Sequence, residues 1–436
     1  MRRPGPGSEE GLREARSLKW AGADEPASKL ARLASLDGRW VLVVVLTAYF
    51  GSIGWGAARE GYAWAWARFG VDPMYVVPGQ PQSGTVPFGD AHNLLAAIDC
   101  SREGFDVTRE NPCDVHGRPH VYSRAWLILR HLPLSRDSVI PVGIGVGLSF
   151  LYTFFVFVGR IDLGAGIVYA VLLCSPSIML GVERGNTDLV AFQLVAWPLL
   201  LLSRGMSGVG AYGLILVAAL LKFFPIAALA TVLRETRSRA LALLAAFGSI
   251  WLTFVAYFSE EILSSRGTHV SKIPRSYGAL VLRDAVLERL EISGWVPANW
   301  LAPALLLAIA GIAIAAVATG LFRARAAGIP PHLDSFRAGA ALFAMTYFMP
   351  VTNWDYKLVF SLPMLPQILH WTKEREPMGF ASKVALVTLA VTLWLSREHH
   401  AFLKGEILNL ALLAYSLHLL AWTRPVWMSR TGKSEK

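Results

Sequence analysis

Charge is scarce in this sequence: only 17% of its 436 residues are Asp, Glu, Lys or Arg. A soluble domain carries about 25%, so the deficit argues against a water-exposed globular fold. Acidic residues are the scarcer sign, 31 against 41 Lys and Arg, leaving a net charge of +10. That excess does not point to nucleic acid. Much of it falls in short loops and tails beside apolar runs, where Lys and Arg set membrane topology, and no basic helix or aromatic platform of a nucleic-acid module is present. An N-terminal apolar segment is also missing. The first apolar run begins near Trp40 and no small-residue cleavage pattern follows it, which argues against a cleavable signal peptide. Residues 1–37 read instead as a polar cytoplasmic tail, with a matching short tail at 423–436. There are three cysteines: Cys174 falls in an apolar run, whereas Cys100 and Cys113 share one polar loop, where a disulfide or two free thiols are both open.

Apolar residues make up 54% of the chain, with 15 Trp and a mean hydropathy of +0.44. Runs such as 40–57, 139–158, 240–258 and 301–321 approach the roughly 20 residues that cross a bilayer. They are continuously apolar and not alternating, so the chain is read as an all-α polytopic membrane protein and not a barrel. The membrane domain extends over 38–422, with further runs at 165–181, 189–203, 209–233, 338–350, 358–370, 380–396 and 405–422.

Counting each run as one crossing produces a conflict. The N-terminal tail and the loops 234–239 and 323–337 are all basic and should share the cytoplasmic face, yet simple counting puts 234–239 outside. Lys222-Phe-Phe-Pro225 resolves it. A lysine in mid-bilayer costs about 2.5–3.5 kcal/mol on insertion scales, and proline interrupts a helix. Two short helices, 209–221 and 224–233, then bring Lys222 to the outer side and raise the total to about twelve spans with both termini inside. The loops 59–137, 182–188, 222–225, 258–300, 351–357 and 396–406 all fall on the outer face as a result. No internal repeat is evident, which weighs against a secondary transporter.

The first outer loop contains P-F-G-D-A-H-N-L-L-A-A-I-D-C, in which Leu94, Leu95 and Ile98 recur at helical spacing. The spacing predicts a short amphipathic helix over 90–100 lying on the membrane. Asp90 would cap it or sit in its first turn. A carboxylate held there is also suited to act as a general base on an acceptor hydroxyl. His92 and Asp99 do not complete a metal-ligand pattern with it. Further on, N-P-C-D-V-H-G-R-P reads as turn chemistry, and Tyr122 and Trp126 read as interfacial anchors.

Other polar knots interrupt the apolar runs. In V-E-R-G-N-T-D, Glu183 and Arg184 could neutralise one another, and Asn186 or Asp188 could cap the next helix. Arg184 and Lys222 are candidates for holding a phosphate, the first by a bidentate fork and the second as a point charge. In N-W-D-Y-K, Asp355 and Lys357 could pair, while Asn353 and Trp354 suit a sugar. The loop 258–300 includes Lys272 and Arg275, further phosphate candidates, and a predicted amphipathic helix near 281–292 that could cover a bilayer-facing site. His92, Glu183, Asn186, Asp188, Asn353, Trp354, Asp355 and Lys357 complete the set of candidate substrate-binding residues.

Taken together, G-D-A-H-N-L-L-A-A-I-D-C, N-P-C-D-V-H-G-R-P, E-R-G-N-T-D, L-L-K-F-F-P and T-N-W-D-Y-K-L-V-F resemble bacterial membrane glycosyltransferases of the GT-C superfamily, most closely glycosyltransferase family 87. The resemblance covers about 38–422. It implies a GT-C bundle in the bacterial cytoplasmic membrane, a polyprenyl-phosphate-mannose donor that is a co-substrate and not a cofactor, and an inverting transfer to a glycan or glycolipid hydroxyl outside the cytoplasm. It implies Asp90 as the base and no requirement for metal. One departure is His120-Val-Tyr-Ser-Arg124, which stands where a Tyr-Pro pair is common in that family. Three other readings remain open from residues alone: a flippase or transporter for a lipid-linked sugar, a non-catalytic assembly subunit, and a ligase that moves a whole glycan from a pyrophosphate lipid.

Overall fold

The computed structural model describes residues 37–71, 86–206, 208–259, 276–293, 298–323, 332–349, 353–374, 378–395 and 402–423. The N-terminal tail to residue 36, most of the C-terminal tail, and Lys272 and Arg275 lie outside these residues.

The described chain is helical apart from one two-stranded ladder. In chain order the elements begin with α1 (Arg39–Glu60), α2 (Tyr62–Ala67) and α3 (Gly89–Arg102). A first long 3-10 helix, Arg124–His131, and a single 3-10 turn, Arg136–Ser138, lead to α4 (Val139–Val158), α5 (Leu163–Leu173), α6 (Pro176–Glu183), α7 (Thr187–Ser203) and α8 (Val209–Lys222). A second 3-10 helix, Phe224–Arg234, precedes α9 (Arg237–Tyr257), β1 (Ser276–Tyr277), α10 (Ala279–Ser293), α11 (Ala298–Arg323) and α12 (Leu333–Phe348). Then come β2 (Asn353–Trp354), a third 3-10 helix over Asp355–Met364, α13 (Leu365–Trp371), α14 (Met378–Leu395) and α15 (Phe402–Trp422).

Among the described residues, six helices are long and apolar enough to cross a membrane: Arg39–Glu60, Arg136–Val158, Arg237–Tyr257, Leu301–Phe322, Met378–Leu395 and Gly405–Trp422. The pair α5 and α6 makes a seventh if counted together, bent by 60°. The sequence predicts one straight span over 165–181. The bend falls where Pro176 takes the first position of α6 and cannot donate back into α5. Six or seven spans are fewer than the twelve the sequence predicts; α7, α8 and Phe224–Arg234 are apolar but shorter, with 17, 14 and 11 residues.

The break at Lys222 is where the sequence places it. α8 ends at Lys222, and Phe223 turns the chain with a φ of +62° before Pro225 opens the 3-10 helix. The change of helix type matters for length. At about 1.5 Å per residue, the 14 residues of α8 span about 21 Å, and at about 2.0 Å per residue the 11 residues of the 3-10 helix span about 22 Å. The stretched geometry lets a shorter segment run back alongside a longer one. Its far end is tied down by ionic contacts: Arg234 donates to Leu202 O at the end of α7 and to Asp334 at the start of α12, while Tyr212 at the start of α8 donates to Glu235. Two polar clusters therefore sit at opposite ends of the same helices. One gathers Arg234, Glu235, Asp334 and Arg337; the other gathers Asp90, Arg184, Asp188 and Lys222.

The helix α3 departs from expectation. It does not lie on a membrane with one face wet, because ten consecutive residues from Gly89 to Ile98, and Cys100, are buried. Leu94, Leu95 and Ile98 pack with Trp126 on one side. Ala96, Ala97 and Cys100 pack with Val107 and Cys113 on the other, under the loop that the Cys100–Cys113 disulfide closes. A helix whose small face is also covered is an interior helix. Trp126 is not an interfacial anchor either: it is buried, and its indole N–H donates to Leu221 O at 3.2 Å.

Candidate active site

Asp90 occupies the second position of α3, and its place is set from the chain entering the helix. Phe88, the residue before the helix, is left-handed with a φ of +54°, and no side chain caps the N-terminus. The loop after α6 satisfies it instead: the backbone N–H groups of Asp90 and Ala91 both donate to Arg184 O, at 3.0 and 3.2 Å. Asp90 is thus a first-turn residue and not the cap. Two glycines permit this docking. A Cβ on Gly143 would meet the Phe88 ring at 2.1 Å, and Gly185, with a φ of +57°, lies where a Cβ would be 3.1 Å from the Ala91 Cβ.

The same loop returns its side chains to the Asp90 carboxylate. Arg184 Nε donates to Oδ2 at 2.7 Å and Nη2 donates to Oδ1, a bidentate fork. Asn186 Nδ2 donates to Oδ2 as well, while Asn186 Oδ1 accepts from Asp188 N and caps α7. Asp90 is 4% exposed and Arg184 6%. Burial is the largest influence on the Asp90 carboxyl and pushes its pKa up, but the Arg184 charge and hydrogen bonds, with that of Asn186, outweigh it and hold the group below the usual carboxylate range.

A second ion pair adjoins the first. Lys222 Nζ is 3.1 Å from Asp188 Oδ1, and its ammonium lies 4.5 Å from the centre of the Tyr122 ring. The expected local pairs do not form. Glu183 acts on Arg184 only through its charge and accepts its hydrogen bond from the Tyr62 hydroxyl at 3.1 Å. Lys357 does not pair with Asp355 but donates to Asn353 Oδ1 at 3.0 Å. Neighbouring residues on a helix point apart, so i,i+1 and i,i+2 partners do not face each other.

The N-W-D-Y-K knot closes the site from the far end of the sequence. β2 pairs antiparallel with β1, Ser276 opposite Trp354 and Tyr277 opposite Asn353. The pairing joins the start of the described 276–293 segment to the N-W-D-Y-K knot. Trp354 lies under the Arg184 guanidinium at 5.7 Å and stacks with Tyr356. Asp355 is fully buried, within electrostatic reach of Tyr277 and Glu406. Glu406 accepts from Gly278 N and Asn409.

The structure thus brings together Asp90, Arg184, Asn186, Asp188, Lys222, Asn353, Trp354 and Lys357. His92 points elsewhere, into electrostatic contact with Asp114, His116 and Arg136. Asp99 pairs with Arg102 and Arg136. Sequence reasoning missed Tyr122 and Tyr356, which lie within electrostatic reach of Asp90, and Arg118, within reach of Arg184. Tyr356 was visible within N-W-D-Y-K; Tyr122 carried no signal separating a site residue from an anchor. Among the described residues, the one group with metal-ligand spacing is Cys100, Glu103 and Cys113, and its two sulfurs are already bonded to each other.

No family model and no curated protein matches the chain. Among solved structures, it is similar to ArnT from Cupriavidus metallidurans in the apo state, at 14% identity and a TM-score of 0.34, over 84% of this chain and 76% of that one.

Proposed function

We propose that this protein is a membrane glycosyltransferase of the GT-C type. It moves a hexose, with mannose the candidate from the family 87 resemblance, from a polyprenyl-phosphate donor to an extracytoplasmic acceptor hydroxyl, with inversion. One observation carries the reading: a buried carboxylate, Asp90, is met by a guanidinium, and an ammonium stands beside it on the neighbouring helix, all from segments the sequence keeps far apart.

In the proposed reaction the acceptor oxygen attacks the anomeric carbon while its proton passes to an Asp90 oxygen. The bond between the anomeric carbon and the phosphate oxygen breaks, and its electron pair stays on the departing polyprenyl phosphate. Arg184 and Lys222 stabilise the second negative charge that develops there. Trp354 offers a flat face to the sugar, and Asn353 and Lys357 offer hydrogen bonds. An apolar groove between Phe224–Arg234 and α9, lined by Ile226, Leu229, Leu233, Leu244 and Trp251, suits a prenyl chain; the Trp251 indole N–H at its edge donates to Phe223 O, next in sequence to Lys222.

The test is incubation of purified protein with polyprenyl-phosphate-mannose and candidate acceptors, with Asp90→Asn as the control. Transfer by the wild type and none by the variant is expected. Full turnover by Asp90→Asn removes Asp90 as base.

A further inference from the structure

The mechanism asks two things of Arg184 that it cannot do at once with the same edge of its guanidinium. Its Nε and Nη2 edge is occupied by Asp90. That edge is one of the two by which a guanidinium forks onto a pair of oxygens, whether of a carboxylate or of a phosphate, and the other shares Nη2 with it. The Asp90 carboxylate has both oxygens engaged, Oδ1 by Arg184 and Oδ2 by Arg184 and Asn186. A carboxylate so held is a weak base, because a general base works best with a pKa near the operating pH.

We infer that Arg184 is shared in alternation between Asp90 and a phosphate ester, so that arrival of the phosphate releases Asp90 to act as base. The inference rests on the reading of this site as one for a lipid-phosphate sugar, and it adds how that site is regulated. Four features favour exchange over simple addition. Arg184 is fixed by its backbone, its carbonyl accepting from Asp90 N and Ala91 N, so the guanidinium can swing without the loop leaving the helix. The Trp354 ring lies 5.7 Å from the guanidinium and supplies a second resting surface for it. Asn186 keeps one hydrogen bond to Asp90 after Arg184 departs, so the freed carboxylate stays oriented. Lys222 stands next to the exchange point, paired by a single contact to Asp188, and adds positive charge where the phosphate would settle.

Facing Asp90 are Arg184 and Asn186 from the loop after α6, Lys222 from α8, Tyr122 from the first loop and Tyr356 from the third 3-10 helix. Once Arg184 leaves, burial is the dominant remaining influence and favours the protonated acid, which is the form Asp90 takes on accepting the acceptor's proton. The arrangement has a functional consequence. Without donor, Asp90 is occupied, and a bound acceptor or a water is not deprotonated.

Linkage makes the inference measurable, because two ligands that compete for one group weaken each other by the same factor. The Asp90 carboxylate is one competitor and the phosphate the other. An Asp beside an Arg shifts by about 1–3 pKa units, or about 10- to 1000-fold, so removing the carboxylate should tighten phosphate binding by roughly tenfold or more. The measurement is the Kd of undecaprenyl phosphate for purified protein in detergent, with undecaprenol and inorganic phosphate as separate probes. Asp90→Asn is expected to bind undecaprenyl phosphate more tightly than wild type, a gain that a misfolded protein does not show. Arg184→Gln is expected to bind it more weakly, and Asp90→Asn is expected to give no gain when combined with Arg184→Gln. A lipid source is indicated if inorganic phosphate follows the same order with lower affinity while undecaprenol is indifferent to all three variants; equal affinity for inorganic phosphate indicates a free-phosphate site with the same exchange. An unchanged or weaker Kd in Asp90→Asn overturns the inference. These are binding measurements, so the exchange stands or falls apart from whether any sugar is transferred.

Discussion

Lys222 ends α8 and reaches 3.1 Å to Asp188, the second residue of α7. Each charge sits at the helix end that favours it, the anion at an N-terminus and the cation at a C-terminus. Both are largely buried, with Asp188 at 1% and Lys222 at 11% side-chain exposure. Breaking a buried pair on one side strands the other charge and costs about 3–5 kcal/mol. Asp188→Asn and Lys222→Met should each destabilise the fold by about that amount, read as a lower unfolding temperature in detergent. Replacing both should recover most of the stability, because no charge is then left stranded. If Lys222 serves the phosphate, the double variant stays inactive in transfer despite its recovered stability; restored transfer would assign the pair to structure alone.

Gly143 separates packing at the site from packing in the bundle. An added Cβ there meets the Phe88 ring at 2.1 Å, so Phe88 must move, and Phe88 holds the left-handed turn that aims Asp90. Gly145, on the same helix, has nothing within 4 Å of its Cβ position. Overpacking costs about 1–3 kcal/mol, and a shift of about 1 Å in a reacting group is able to cost about a hundredfold in rate. Gly143→Ala is expected to lose transfer by about that factor while remaining folded. Gly145→Ala should keep activity and gain up to about 1 kcal/mol from helix propensity. Equal activity in the two variants would detach Phe88 from the positioning of Asp90.

The polar knots were legible because charge is rare here, and an Arg, Lys or Asp in an apolar run stands out against its background. The break at Lys222–Pro225 was legible for the same reason, and the structure turns there. The partners were not. Glu183 next to Arg184, and Asp355 two residues from Lys357, look like local neutralisation in a string of letters. On a helix these side chains diverge: Glu183 and Arg184 take partners from other segments, Tyr62 and Asp90, and Lys357 reaches back four residues to Asn353. The burial of α3 was hidden too. Its Ala and Cys face reads as weakly polar until the loop closed by Cys100–Cys113 folds over it. Tyr and Trp fit a membrane interface and a buried hydrogen bond equally well, so composition alone did not separate the two fates of Tyr122 and Trp126.

That closed loop is open to a direct test. The bridge joins positions 13 residues apart, and closing a loop of about 15 residues is worth about 3 kcal/mol in the chain-entropy account. Cys100 lies on α3 itself, so the bridge ties the loop to the helix that carries Asp90. Cys100→Ala with Cys113→Ala should raise hydrogen exchange across 103–123 and reduce transfer, with little change in the spans. Cys174→Ala removes a buried thiol with no bridge and should leave exchange in 103–123 unaltered. Unaltered exchange in the double variant would mean that packing of Ala96, Ala97 and Val107 suffices to hold the loop.

His120 gives the same loop a pH dependence of predictable sign. Its ring is buried and lies edge-on to Tyr122, and its backbone N–H donates to Val107 O at 2.7 Å. Burial, with the Arg124 and Lys222 charges nearby, pulls its pKa down to about 4, against about 6.5 in an unfolded chain. The folded state therefore prefers the neutral ring. The corresponding stability is fully present above about pH 6.5 and is lost as pH falls towards 4, since the unfolded chain takes up the proton first. Within that window the loss is about 1.4 kcal/mol per pH unit for one proton. His120→Gln cannot take up that proton, so its unfolding temperature should fall less than that of the wild type between pH 6.5 and 4, and the two curves should run parallel above pH 7. Parallel curves throughout would mean that His120 is protonated without disturbing the fold.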